Sequence, residues 1–274
     1  MVKEISRLRV EIRSFEPIPY VNSMTQKIKE YFNRSGATGI LTGIDGELDS
    51  SVAALLCSRA VTGSKIHAIY LMDKKTHSQV NLRYVNRVAK IGRFNLSVVE
   101  ITPLNRSVLK SLPQIKRGRM SKSDLAAKAV SKNLSARIRM MSLYYYANLY
   151  RYIVCGVLDK SEWLLGSFTK WGDGSADIMP LASLYKTQVG MVAKALKVGF
   201  IAKKHPMTKL LNDRPSHHML PNLYEDLDPI LLGIEKGWEN QEIADDIGTD
   251  LEGISETRSI VEKNWHRRHG SIIL

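Results

Sequence analysis

Four short apolar runs punctuate the first two thirds of the chain: TGILTGI (38–44), KIHAIYLM (65–72), NLSVVEIT (95–102) and YIVCGVL (152–158). Each is rich in Ile and Val and has the length of a buried strand. Between them, SSVAALLCSRAV (50–61) and SQVNLRYVNRVAKIG (78–92) repeat apolar residues at helical spacing, and a longer helical pattern covers 124–150. An amphipathic helix over 21–34, ended by Gly36, precedes the first run. This alternation predicts an α/β fold, a doubly wound, Rossmann-like parallel sheet flanked by helices. Its ligand belongs at the carboxyl ends of the strands. From Tyr224 to His269 the pattern is helical throughout. The expected organisation is one domain over 1–274: an α/β core at 21–200, a mobile loop at 201–222 and a helical part at 223–274.

Composition narrows the class. The chain has 274 residues, 44% hydrophobic and 24% charged, which fits a soluble globular protein with a sizeable core. No run approaches the ~18 apolar residues of a membrane span, and the N-terminus has no signal-peptide core, so a cytoplasmic protein is expected. Cys57 and Cys155 sit in apolar surroundings without zinc spacing. The net charge is +13, and Asn105–Met140 carries ten Lys/Arg against one acid, Asp124. Such a block fits an anionic partner or a solvated surface. Nucleic acid is one such partner, and residues 240–263 have a helix–Gly–helix look. Acids outnumber bases there, which is wrong for a helix facing phosphates.

The run LTGIDGELDSS (41–51) is a glycine turn between a strand and a helix. A helix N-terminus fed by such a turn binds anions through unpaired N–H groups. Gly43 and Gly46 allow the turn, with Ser50 and Ser51 at the helix start. On local evidence alone Asp49 reads first as an N-cap.

Residues 160–189, KSEWLLGSFTKWGDGSADIMPLASLYKTQV, closely resemble the signature region of ammonia-dependent NAD⁺ synthetases. The resemblance extends to ARIRMMSLYYYAN (136–148), to the Y-x-x-L-D-x-I-L-x-G pattern from Tyr224 to Gly233, and to HRR (266–268). It implies the ATP-pyrophosphatase type of fold and a two-step ligase. In the first step ATP adenylates nicotinic acid adenine dinucleotide. In the second, ammonia amidates it, yielding NAD⁺, AMP and pyrophosphate. No glutaminase-like Cys–His–acid arrangement is visible, so free ammonia is the expected donor.

By this resemblance Asp49 and Glu162 hold Mg²⁺. Gly43, Gly46, Ser50, Ser51, Arg137 and Lys186 bind ATP phosphates. Lys170, Trp171 and Asp173 contact the dinucleotide, and Asp49, Lys186 and Asp173 serve catalysis. The family is a homodimer, and the aromatic cluster on 124–150 is a candidate interface or core packing. The chain departs from the family at several places. Asp45 and Glu47 stand where the family loop has serine and glycine, Val157 replaces a threonine, Asp159 an asparagine and Ser135 a glutamine. An acid string after Pro206 is absent, and His205, His217 and His218 lie in that segment. Two acids in a phosphate loop repel a triphosphate unless they turn away, and Glu47 would be strained if its glycine angle were left-handed. The alternative reading is therefore a catalytically silent relative that binds a nucleotide or a partner. A basic nucleic-acid-binding protein on the same fold is the third reading.

Overall fold

The computed structural model describes residues 6–74, 79–112, 124–201 and 224–271. In chain order the elements are α1 (Arg7–Arg13), α2 (Pro17–Ser35), β1 (Gly39–Gly43), α3 (Leu48–Ala60), β2 (Ile66–Met72), α4 (Gln79–Gly92), β3 (Asn95–Glu100) and α5 (Thr102–Ser111). They continue with α6 (Asp124–Tyr150), β4 (Tyr152–Cys155), α7 (Lys160–Leu165), α8 (Lys186–Ala195), α9 (Tyr224–Glu235), α10 (Asn240–Ile247) and α11 (Leu251–Lys263). The chain divides into two compact units. One comprises Gln26–Val157 and Thr169–Met179 and holds the sheet; the other comprises Met1–Thr25, Leu158–Phe168 and Pro180–Leu274 and is helical.

In the sheet unit the strand order is β3-β2-β1-β4, with every pair parallel. All four expected strands form, because parallel neighbours joined through helices bury Ile/Val-rich runs on both faces. β1 fits this best, with Gly39–Thr42 fully buried between β2 and β4. The expectation of burial fails for β3: it is an edge strand, and Val98 is 47% exposed. Residues 101–102 leave the strand to begin α5. Against one face α6 packs Met140, Leu143 and Ala147, spaced as one helical stripe, onto Leu41, Ile69 and Val154. α3 is buried continuously from Ser50 to Cys57, which suits a helix that is apolar on every side.

The helical unit is built around Leu8, Ile12, Leu227, Ile230, Leu231, Ile243, Ile254 and Ile260. The segment with the helix–Gly–helix look is thus α10–α11, and its apolar face is core packing. Pro229 lies inside α9 and cannot donate to the Glu225 carbonyl, and Arg9 Nη1 donates to that oxygen instead at 3.0 Å.

α7 has only six residues, so its ends need outside partners. Gly166 ends it with φ +64, which glycine adopts without strain. Asn264 donates to Leu165 O (2.8 Å), Arg268 to Leu164 O (2.6 Å), and Arg267 to Gly166 O (2.7 Å) and Phe168 O (3.2 Å). The resemblance at HRR therefore has a structural meaning: its two arginines close the carbonyl end of α7. Arg267→Ala should cost about 1–3 kcal/mol in urea unfolding, since two carbonyls lose a charged donor. Unchanged stability would show that water replaces the guanidinium.

Candidate active site

The glycine turn after β1 is closed by its own acid. Asp45 Oδ1 accepts hydrogen bonds from the Glu47 N–H (3.0 Å) and from Ser50 Oγ (2.6 Å). A carboxylate thus sits on two donors at the start of α3, where the helix dipole favours negative charge. Glu47 points elsewhere, with Asn81 Nδ2 donating to it at 3.2 Å. It is the N-cap residue, but its side chain makes no capping bond. Its backbone is extended (φ −88, ψ 172), so this position does not require glycine and the expected strain is absent. The left-handed residue is Gly46, at φ +81, where a Cβ would meet Asn81 O at 2.7 Å. Asp49 is not the N-cap; it is the second residue of α3, in the first turn. Ser51 Oγ donates back to Glu47 O (2.7 Å), tightening that turn.

The helical unit contains a buried ion cluster at the N-termini of α7 and α8. Lys186, 3% exposed, is the first residue of α8, and its Nζ lies 2.5 Å from Asp159 Oδ2 and 3.3 Å from Glu162 Oε1. Asp159 is fully buried, and it also caps α7 by accepting the Glu162 N–H at 2.8 Å. The D-x-x-E spacing of Asp159 and Glu162 is a capping-box signal, and it is the signal that could have pointed to Asp159. Two carboxylates thus face one ammonium. Carboxylate oxygens are the hard donors that magnesium prefers, so Glu162 fits the expected metal role chemically.

A second buried acid braces these helix starts. Asp228 of α9, 0% exposed, accepts from Ser161 Oγ (2.6 Å), the Thr187 N–H (2.8 Å) and Thr187 Oγ (2.7 Å). Ser161 Oγ in turn accepts the Lys186 N–H at 3.0 Å. Burial drives the Asp228 carboxyl up to about 6, although the bonds from Ser161 and Thr187 favour its charged form. An acid raised on folding binds more protons folded than unfolded between its two values. Its stabilising contribution is complete below about pH 4 and is lost as pH rises through about 6. The stability of wild type relative to Asp228→Asn should fall by roughly two pKa units at ~1.4 kcal/mol each, on the order of 3 kcal/mol, between pH 4 and 7. Urea titrations at both pH values check this, and a pH-independent difference would refute it.

In the sheet unit the turn 169–174 is fixed from within. Asp173 Oδ1 accepts the Thr169 N–H (2.8 Å), Thr169 Oγ1 donates to Asn133 Oδ1 (2.9 Å), and the Gly172 and Gly174 N–H groups both bond to Thr169 O. Trp171 adopts φ +64 and is 54% exposed, with the Lys170 ammonium 5.3 Å from its ring. Arg137 donates to Lys170 O through Nη2 and Nε (3.1 and 3.3 Å), tying α6 to this turn. Burial raises the Asp173 carboxyl, while hydrogen bonds from Thr169 and the charge of Arg139 oppose the rise. The charge of Arg139 thus acts on the same turn that Arg137 ties to α6. The structure thus brings Lys186 together with Glu162, and Arg137 together with Lys170. Asn133, Arg139, Asp159 and Asp228 join these groups without having been singled out as site residues. The expected loop at 201–222, with His205, His217 and His218, lies outside the described residues except for Ile201.

The family model described as NAD synthase matches residues 20–271. The NH₃-dependent NAD⁺ synthetase of Methanocaldococcus jannaschii is 34% identical over 249 residues, covering 90% of this chain and 93% of its own. That of Sulfurisphaera tokodaii is 31% identical over 270 residues, covering 98% and 91%. Among solved structures, the NH₃-dependent NAD synthetase of Campylobacter jejuni superposes with a TM-score of 0.76 at 25% identity, over 95% of this chain and all of its own. The NMN synthetase of Francisella tularensis gives 0.74 at 25% identity, over 95% and 99%.

Proposed function

The chain belongs to the NAD synthase family, and on that premise we propose that it is an ammonia-dependent NAD⁺ synthetase, an ATP-consuming C–N ligase. The observation that carries the reading furthest is the buried Lys186, fixed at a helix start by Asp159 and Glu162. Adenylation builds negative charge on phosphate oxygens, and a preorganised cation in a dry site stabilises that charge far better than water does. Lys186 is the residue we assign to it. Gly43, Gly46, Ser50, Ser51 and Arg137 are assigned to the triphosphate. The turn bearing Lys170, Trp171 and Asp173 is assigned to nicotinic acid adenine dinucleotide, with the exposed indole as a stacking face. The carboxylates of Asp49 and Glu162 are the ones we assign to Mg²⁺, which when bound would neutralise phosphate charge.

The test is direct. Purified protein receives ATP, Mg²⁺, nicotinic acid adenine dinucleotide and ammonium, and NAD⁺, AMP and pyrophosphate are quantified. Stoichiometric NAD⁺ and AMP support the reading. AMP without NAD⁺, or amidation of nicotinic acid mononucleotide in preference to the dinucleotide, would overturn it.

A homodimer is part of this proposal. Met141, Tyr145 and Leu149 recur every four residues on α6 and are 53%, 64% and 57% exposed, a stripe of apolar side chains along one helix face. Tyr145→Asp/Leu149→Asp should convert a dimer to a monomer in light scattering. An unchanged mass would remove α6 as the interface. Among the described residues no helix is long and apolar enough to cross a membrane.

A further inference from the structure

We propose that Asp228 is a positioning residue for the reaction, setting the geometry of Lys186 and Glu162 from behind. The inference rests on the role assigned to Lys186 above. Asp228 grips the residues next to those two side chains. Its Oδ1 accepts from Ser161, the neighbour of Glu162, and its Oδ2 accepts twice from Thr187, the neighbour of Lys186. Ser161 Oγ closes the circuit by accepting the Lys186 N–H. One buried carboxylate on α9 thereby joins the first turn of α7 to the first turn of α8.

The chemistry suits a carboxylate and nothing else of that size. All three donors point at acceptor lone pairs, and an ionised Asp offers acceptors on both oxygens. Charge-assisted bonds of 2.6–2.8 Å are the strong kind, so the helix starts are held in one arrangement. Short α7 has little stiffness of its own, and Lys186 sits at the very first position of α8. Without the brace, a shift of either helix start moves the ammonium relative to the reacting phosphate. A 1 Å misplacement of this kind costs up to about a hundredfold in rate.

Asp228→Asn keeps the size but presents an amide N–H₂ to at least one of these donors. We expect kcat for NAD⁺ formation to fall about 10- to 100-fold. The KM for nicotinic acid adenine dinucleotide should stay within about threefold, because that substrate is assigned to the separately braced turn 169–173. Thr187→Val removes a single hydroxyl and should lower kcat in the same direction, while Thr187→Ser restores the donor and most of the rate. Circular dichroism and urea unfolding accompany each variant. If Asp228→Asn does not fold, the Thr187 pair decides. Lys186→Met is the control for the underlying reading. If it retains wild-type kcat, the assignment of Lys186 fails and this inference falls with it. If Lys186→Met is inactive while Asp228→Asn and Thr187→Val lose only stability, the assignment stands and the positioning role is overturned.

Discussion

Lys186→Met is expected to lower NAD⁺ formation by about 100- to 1000-fold at saturating substrates, the usual effect of deleting one preorganised charge at a reacting phosphate or oxyanion. The same variant should lose about 3–5 kcal/mol of stability, because removing one partner of a buried ion pair strands the other. Here it strands two: Asp159, 0% exposed, and Glu162, 9% exposed, lose the ammonium that lies 2.5 and 3.3 Å from their oxygens. The two effects separate in the double variant Lys186→Met/Asp159→Asn. Neutralising Asp159 removes one of the two stranded charges, and the asparagine Oδ1 still accepts the Glu162 N–H that caps α7. Urea unfolding should show much of the lost stability regained, with activity still absent. Activity of Lys186→Met within twofold of wild type would sink the assignment of this lysine. Equal stability of single and double variants would show that the Asp159 carboxylate costs nothing without its partner.

How much of this was legible in sequence varies with the kind of signal. The four strands and the long helix at 124–150 were readable because burial on both faces writes itself as Ile/Val runs, and packing on one face writes itself as helical spacing. β3 misled, since an edge strand carries the same β-branched residues as a central one while half of its surface stays open. α1, α5 and α7 are short and lie below what periodicity can detect. Lys186 and Glu162 were found through a specific string of residues, without any local physical reason for their pairing. Asp228 was visible only as one letter of a pattern. Its three hydrogen bonds come from residues 41 and 67 positions away, and no local rule reports such partners. The charge of Arg139, two residues beyond Arg137 on α6, also acts on Asp173 of that turn.

The phosphate loop shows most clearly why side-chain direction outweighs composition. By sequence, Asp45 and Glu47 are equivalent insults, two acids where a triphosphate is to lie. In the structure they are not equivalent. Asp45 turns inward and its carboxylate occupies the Glu47 N–H and Ser50 Oγ–H, the same donors an anion would use. Glu47 turns toward Asn81 and holds an ordinary extended backbone. The incoming triphosphate has to displace one carboxylate and only pass near the other. Asp45→Ser should therefore lower the KM for ATP about 10- to 100-fold, one to two steps of ~1.4 kcal/mol. Glu47→Gly should change it by less than about threefold, the range of a screened charge near the surface. Asp45→Ser should also cost about 0.5–2 kcal/mol of stability, because α3 loses the carboxylate bound at its N-terminus. Steady-state kinetics at varied ATP, together with urea unfolding of each single variant, give both numbers. A larger gain from Glu47→Gly than from Asp45→Ser would mean that the loop rearranges when ATP binds.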